Sequence, residues 1–118
     1  MSLQESDDAA AAHAVAPRVT LAALEAKVTT KVFGRGSALL AGIDVVSPDG
    51  PLELLTLCVL ITENGFTVVG KSACASPENF NAELGETLAY EDALRQLWSY
   101  EGYLLRERLT RESEIEAG

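Results

Sequence analysis

An Asn64-Gly65 pair set between two β-rich runs constrains this chain more than any other feature of it. Leu54 to Glu63 and Phe66 to Cys74 are rich in β-branched and aliphatic residues. Both central residues of a type I′ turn need positive φ, which Asn and Gly accept at the lowest cost. The pair therefore predicts a hairpin closed by a two-residue turn. That turn places Glu63 opposite Phe66, Ile61 opposite Val68, Val59 opposite Gly70 and Leu57 opposite Ser72. Leu55, Leu57, Val59, Ile61, Phe66, Val68 and Cys74 then share one face, the expected core side. Thr56, Cys58, Leu60, Thr62, Thr67, Val69, Lys71 and Ala73 share the other, a mixed face expected to be partly covered by a partner or a further strand.

Around the hairpin the signals are mostly helical. Thr20 is placed to cap a helix over about residues 21–30, with Leu21, Leu24 and Val28 on one stripe. Gly34-Arg35-Gly36 breaks it and reads as a turn. As a phosphate-cradling loop it lacks a following Gly-Lys-Ser/Thr. A strand is expected near 39–46, before the turn Ser47-Pro48-Asp49-Gly50-Pro51. Ser76 and Pro77 suit the cap and first position of a helix. Gly85 is expected to separate that turn from a longer helix beginning at Glu86, and Glu101-Gly102 to kink or divide the longer one. The organisation is thus a tail over 1–17 (disordered, or a loosely attached helix), one domain over 18–111, and a frayed acidic end over 112–118. The expected fold class is α+β: a small antiparallel sheet built on the hairpin, packed by C-terminal helices, with one short N-terminal helix.

Composition removes several function classes. Nine basic against 18 acidic residues give a net charge of −9, which disfavours general nucleic-acid binding. The longest apolar runs fall far short of the roughly 20 residues of a membrane helix. The first residues are acidic rather than basic, unlike a secretory signal, so the expected location is the cytoplasm. The one His and two Cys cannot form a zinc cluster, and the hairpin puts Cys58 and Cys74 on opposite faces, against a disulfide. No metal and no cofactor is expected. A nucleophilic triad would have to recruit His13 from the tail. Glu83, Glu86 and Glu91 read as a solvated face, so no catalytic residue is assigned and the chain is expected not to be an enzyme.

What remains points to binding. Asn79 and Phe80 follow the Ser76 turn, whose free N–H groups are either an anion site or a simple cap. Arg95 and Arg106 lie three turns apart on roughly one helix face, suited to phosphate or to salt bridges with neighbouring Glu. Trp98, Tyr100 and Leu104 form a broad apolar stripe expected to join copies into a homo-oligomer. A host-protein partner would instead use an exposed patch around Leu60, Val69 and Trp98.

The run from Thr56 to Gly85, with Asn64-Gly65-Phe66-Thr67-Val68-Val69-Gly70 and Ser76-Pro77-Glu78-Asn79-Phe80 at its centre, continues to Ala89, Ala93, Leu97-Trp98 and Glu101-Gly102-Tyr103-Leu104-Leu105. Over about residues 18–110 the chain resembles the Gp49-like family of small conserved phage and prophage proteins. A sheet followed by C-terminal helices is also similar to the phage anti-Thoeris proteins. That likeness implies an oligomer that holds a cyclic ADP-ribose-type or cyclic nucleotide signal without cleaving it, with Asn79, Phe80, Arg95 and Arg106 as contacts. The alternative is a module that binds and modulates a host protein.

Overall fold

The computed structural model describes residues 2–39 and 50–117. In chain order the elements are helix α1 (Leu3–His13), helix α2 (Leu21–Lys27), strand β1 (Val28–Arg35), a single helical turn α3 (Gly36–Leu39), strands β2 (Leu55–Thr62) and β3 (Thr67–Ala73), and helix α4 (Ala82–Ala117). The strands form one antiparallel sheet in the order β1-β2-β3. The α+β class holds: α4 lies across β3 and β2, with α2 and α1 beside it.

Thr20 caps α2 as expected, its Oγ1 accepting from Ala23 N–H at 3.1 Å. The helix stops at Lys27, however, and not near residue 30. Val28-Thr29-Thr30 opens a β-branched run that packs better in a pleated strand than in a helix. Gly34 and Arg35 belong to that strand and not to a turn, and Gly36 starts α3. The strand expected at 39–46 falls almost wholly outside the described residues; Leu39 itself is in α3.

The hairpin is present, but its register is shifted by one residue. Ile61 faces Thr67, Val59 faces Val69 and Cys58 faces Gly70. The turn holds three residues, Glu63-Asn64-Gly65, with only Gly65 in the left-handed region, at φ 84°. Gly65 N–H donates to Thr62 C=O at 2.9 Å, and Thr62 N–H to Phe66 C=O at 2.9 Å. The Thr62 hydroxyl donates to Asn64 Oδ1 at 2.6 Å and accepts from Phe66 N–H at 3.1 Å. This is a three-residue loop with a glycine bulge. Because side chains alternate, the shift turns β2 over: Thr56, Cys58, Leu60 and Thr62 are buried, whereas Leu55, Leu57, Val59 and Ile61 are half-buried on the outer face. Leu60 is therefore core and not exposed.

The inner face closes because α4 approaches very near to β3. Ala89 and Ala93 are fully buried against Gly70, where a Cβ would lie 2.1 Å from Ala89 O. Gly85 meets Thr56 in the same way, its Cβ position 2.7 Å from Oγ1. Gly85 thus does not separate two helices; it is the small residue that lets one helix lie against β2. Gly102 does not interrupt α4 either. Leu24, Leu60, Leu94 and Cys58 fill the centre. Trp98 packs on that core and donates Nε1–H to Val19 C=O at 3.0 Å. Within the expected tail, Leu3–His13 form α1, with Leu3 buried and Arg18 bonded to Asp7 at 2.6 Å. The acidic end continues α4 to Ala117, aided by Arg108–Glu112 and Arg111–Glu107 pairs one turn apart.

Candidate functional site

The sequence expected a helix start at Ser76. The structure has instead one 3-10 turn, Pro77–Asn79, and Ser76 makes no cap; its hydroxyl bonds to Glu78. Glu78 is held below the usual carboxylate range by that hydroxyl. Asn81 caps α4, its Oδ1 accepting from Leu84 N–H at 3.0 Å. The chain between the turn and α4 carries Phe80 to the end of the sheet.

There Phe80 meets Arg35, the last residue of β1. The Arg35 guanidinium carbon lies 4.1 Å from the Phe80 ring centroid. Its Nη1 donates to Glu53 Oε2 at 2.9 Å. Glu53 sits below the usual range, first through a hydrogen bond from Ser37 and then through Arg35. The Arg35–Phe80 stack walls a groove of about 900 Å³, completed by Pro51, Leu54, Cys74 and Pro77. A smaller hollow of about 200 Å³ adjoins it, between Thr56, Ser72, Asn79, Asn81 and Gly85. The two share Leu54, Ala73, Cys74 and Phe80. Together they offer an aromatic face, a guanidinium and two carboxamides at one rim, over an apolar floor. Such a surface can stack a planar ring and hydrogen-bond an anionic group. Cys74 donates its thiol to Ser76 C=O at 3.0 Å, fixing one wall.

Two of the four ligand candidates, Asn79 and Phe80, are at this groove. The other two are not brought to it. At 1.5 Å per residue, Arg95 lies about 20 Å and Arg106 about 36 Å along α4 from its first residue. They are also about 16 Å from one another along the axis, too far to fork one phosphate. Arg95 lines a separate hollow with Leu3, Ser6, Trp98 and Ser99. Arg106 is exposed on the far part of α4.

Of the apolar stripe, Trp98 is half-buried and committed to Val19. Tyr100 and Leu104 are exposed beside the hairpin tip, where Tyr100 meets Phe66 edge-on at 5.6 Å. With Tyr103 and Leu97 they line a notch of about 340 Å³, whose polar side holds Lys27 between Glu63 and Glu101, each at 3.7 Å. Arg35 is the residue that sequence reasoning missed. The signal was present: a β-branched run leading directly into Gly34-Arg35. Among the described residues no group of three or more His, Cys, Asp or Glu side chains could hold a metal, and no helix is long and apolar enough to cross a membrane.

The elements that build the groove and the notch fall within residues 15–109, and over that span the sequence matches the family model of a phage protein family. The chain belongs to the phage protein (N4 Gp49/phage Sf6 gene 66) family. In this Gp49 family member the matched span includes the whole sheet, both walls of the groove and α4 as far as Leu109. It leaves out all of α1 and the last turns of α4. No curated protein and no solved structure matches the chain. The family match does not extend to the anti-Thoeris proteins.

Proposed function

We propose that this Gp49-family protein is a non-enzymatic phage accessory protein of the host cytoplasm that binds and retains a small anionic, ring-bearing signal of the cyclic ADP-ribose or cyclic nucleotide class. The observation that carries this reading is the Arg35–Phe80 stack at 4.1 Å, set in a groove beside Asn79. A base stacks on the ring, the guanidinium takes a phosphate oxygen, and a carboxamide bonds the base edge. In this reading the ligand's anionic group competes with Glu53 for Arg35.

Native mass spectrometry of the full chain with cyclic ADP-ribose isomers and cyclic di- and trinucleotides tests it. The expected result is an intact ligand mass on the protein and unchanged ligand recovered after incubation. Arg35→Ala and Phe80→Ala are expected to lose the adduct while Arg106→Ala keeps it. An empty protein across the panel, or a ligand recovered cleaved, overturns the reading.

A second reading, a module that modulates a host protein, has its own observation. Phe66, Tyr100, Tyr103 and Leu104 expose a contiguous aromatic and aliphatic patch around the notch, the composition of a protein-binding centre. Capture of one host protein that Tyr103→Ala abolishes and Arg35→Ala spares would favour it.

A further inference from the structure

The two edges of the sheet differ. On β3, Lys71 N–H donates to Asp92 Oδ2 at 2.9 Å and Val69 C=O accepts from Gln96 Nε2 at 2.8 Å. Side chains of α4 therefore close that edge. The same contacts fix the phase of the ladder: odd-numbered residues of β3 turn their main-chain groups outward, and even-numbered ones turn toward β2. Carried through the register, the odd residues of β2 bond to β1, which agrees with the Thr29 hydroxyl donating to Ile61 C=O at 3.1 Å. Lys31, Phe33 and Arg35 must then present N–H and C=O groups at the outer edge of β1. Among the described residues no strand pairs with Lys31 and Phe33 at that edge.

An edge of this kind is a template for another strand unless charge, proline or a bulge blunts it. From Thr30 to Arg35 the ladder is regular and holds no proline; its one irregularity lies between Val28 and Thr30. Lys31 is an exposed charge on the α4 side of the strand, engaged by the Tyr90 ring, with its Nζ 4.6 Å from the centroid. On the outer face Val32, Val59 and Val69 form a row across the sheet, and Val32 is 45% exposed at its open end.

We propose that β1 pairs antiparallel with β1 of a second copy of this chain about a two-fold axis at Val32, joining the two sheets into one. The sequence of the edge is self-complementary in that register. Lys31 lies opposite the partner's Phe33 in a hydrogen-bonded pair, which sets a cation against a ring as Lys31 and Phe33 already are within one chain, at 5.8 Å. Val32 lies opposite the partner's Val32, and the valine row runs unbroken through both copies. A two-fold contact requires the same patch on both sides, which this register supplies. The interface lies on the strand edge, away from the Tyr100–Leu104 stripe and independent of any ligand.

The test uses the full chain in sedimentation velocity over a concentration series, with Val32 as the probe. Val32 faces itself across a non-hydrogen-bonded pair, where Cα atoms stand about 4.5 Å apart, close enough for a disulfide. Val32→Cys is expected to give a covalent dimer under mild oxidation, and Val69→Cys, on the same face at the closed edge, is not. Val32→Glu and Val32→Lys are each expected to weaken the dimer at least about tenfold. Mixing these two variants is expected to restore a heterodimer. Circular dichroism checks that each variant is folded. A wild-type chain that stays monomeric through the series overturns the proposal. So does a dimer that Val32→Lys leaves intact, or equal crosslinking from Val32→Cys and Val69→Cys.

Discussion

Replacing Gly70 by Ala adds one methyl group at the place where α4 rests on the sheet. The new Cβ would lie 2.1 Å from Ala89 O, 2.5 Å from Ala93 N and 2.8 Å from Ala93 Cβ. Ordinary contact begins at 3.4 Å, and two of these three atoms are backbone, which cannot swing aside as a side chain can. The helix must therefore lift by roughly 1 Å along the stretch that buries Ala89, Ala93, Leu94 and Leu97. Overpacking of a core costs about 1–3 kcal/mol, and a clash with main chain belongs at the top of that range. A loss of about 3 kcal/mol lowers Tm by about 12 °C or more in a domain of this size. Differential scanning calorimetry of the two proteins reads that difference directly. A Gly70→Ala chain that melts within about 2 °C of wild type would refute the seating of α4 on Gly70, and with it the register that places Gly70 on the inner face.

Gly102→Ala, at a helical position with nothing within 4 Å, is expected to raise stability by about 0.5–1 kcal/mol through helix propensity alone, read as a higher Tm. Burial pushes the Cys58 thiol up, so thiol titration of the native chain is expected to modify Cys74 first and Cys58 only on unfolding. Arg18 holds Asp7 below the usual carboxylate range, with Leu21 N–H adding a 3.2 Å hydrogen bond. Its contribution is complete above the unfolded value and is lost as the pH falls through the depressed folded one. Docking of α1 is therefore expected to loosen in acid, below about pH 4, seen as faster exchange of the Leu21 amide once intrinsic pH effects are removed. Phe80→Ala is expected to free Arg35 from its stack and leave the fold intact, since neither residue is in the buried core.

Much of this molecule is written in local signals. Thr20 caps α2, and the Asn64-Gly65 pair makes a hairpin, because a hydroxyl at a helix start and a glycine at positive φ act within a few residues of themselves. The apolar spacing of Ala89, Ala93, Leu94 and Leu97 likewise announced a helix with a core-facing stripe. Phe80 and Asn79 were legible as candidates because they follow a Ser-Pro turn, and both line the hollow at the end of the sheet.

Other features depended on partners far away in the chain. One extra residue in the turn inverts β2, and the choice falls to the face that meets α4: Thr56 seats against Gly85, and Leu57 and Val59 are left on the outer face. The break foreseen at Gly85 became continuous helix for the same reason. Sequence pattern put Arg95 and Arg106 on one helix face, yet a straight helix keeps them about 16 Å apart. Arg35 joined Phe80 only because β1 and the Pro77 turn finish at the same end of the sheet. Hairpin, cap and helix stripe are set by residues within a turn or two of one another, so the linear order of residues was enough to specify them. The buried face of β2 follows from how closely α4 can approach the sheet, and the Arg35–Phe80 contact from where β1 and the Pro77 turn end, both long-range packing conditions beyond the reach of local pattern.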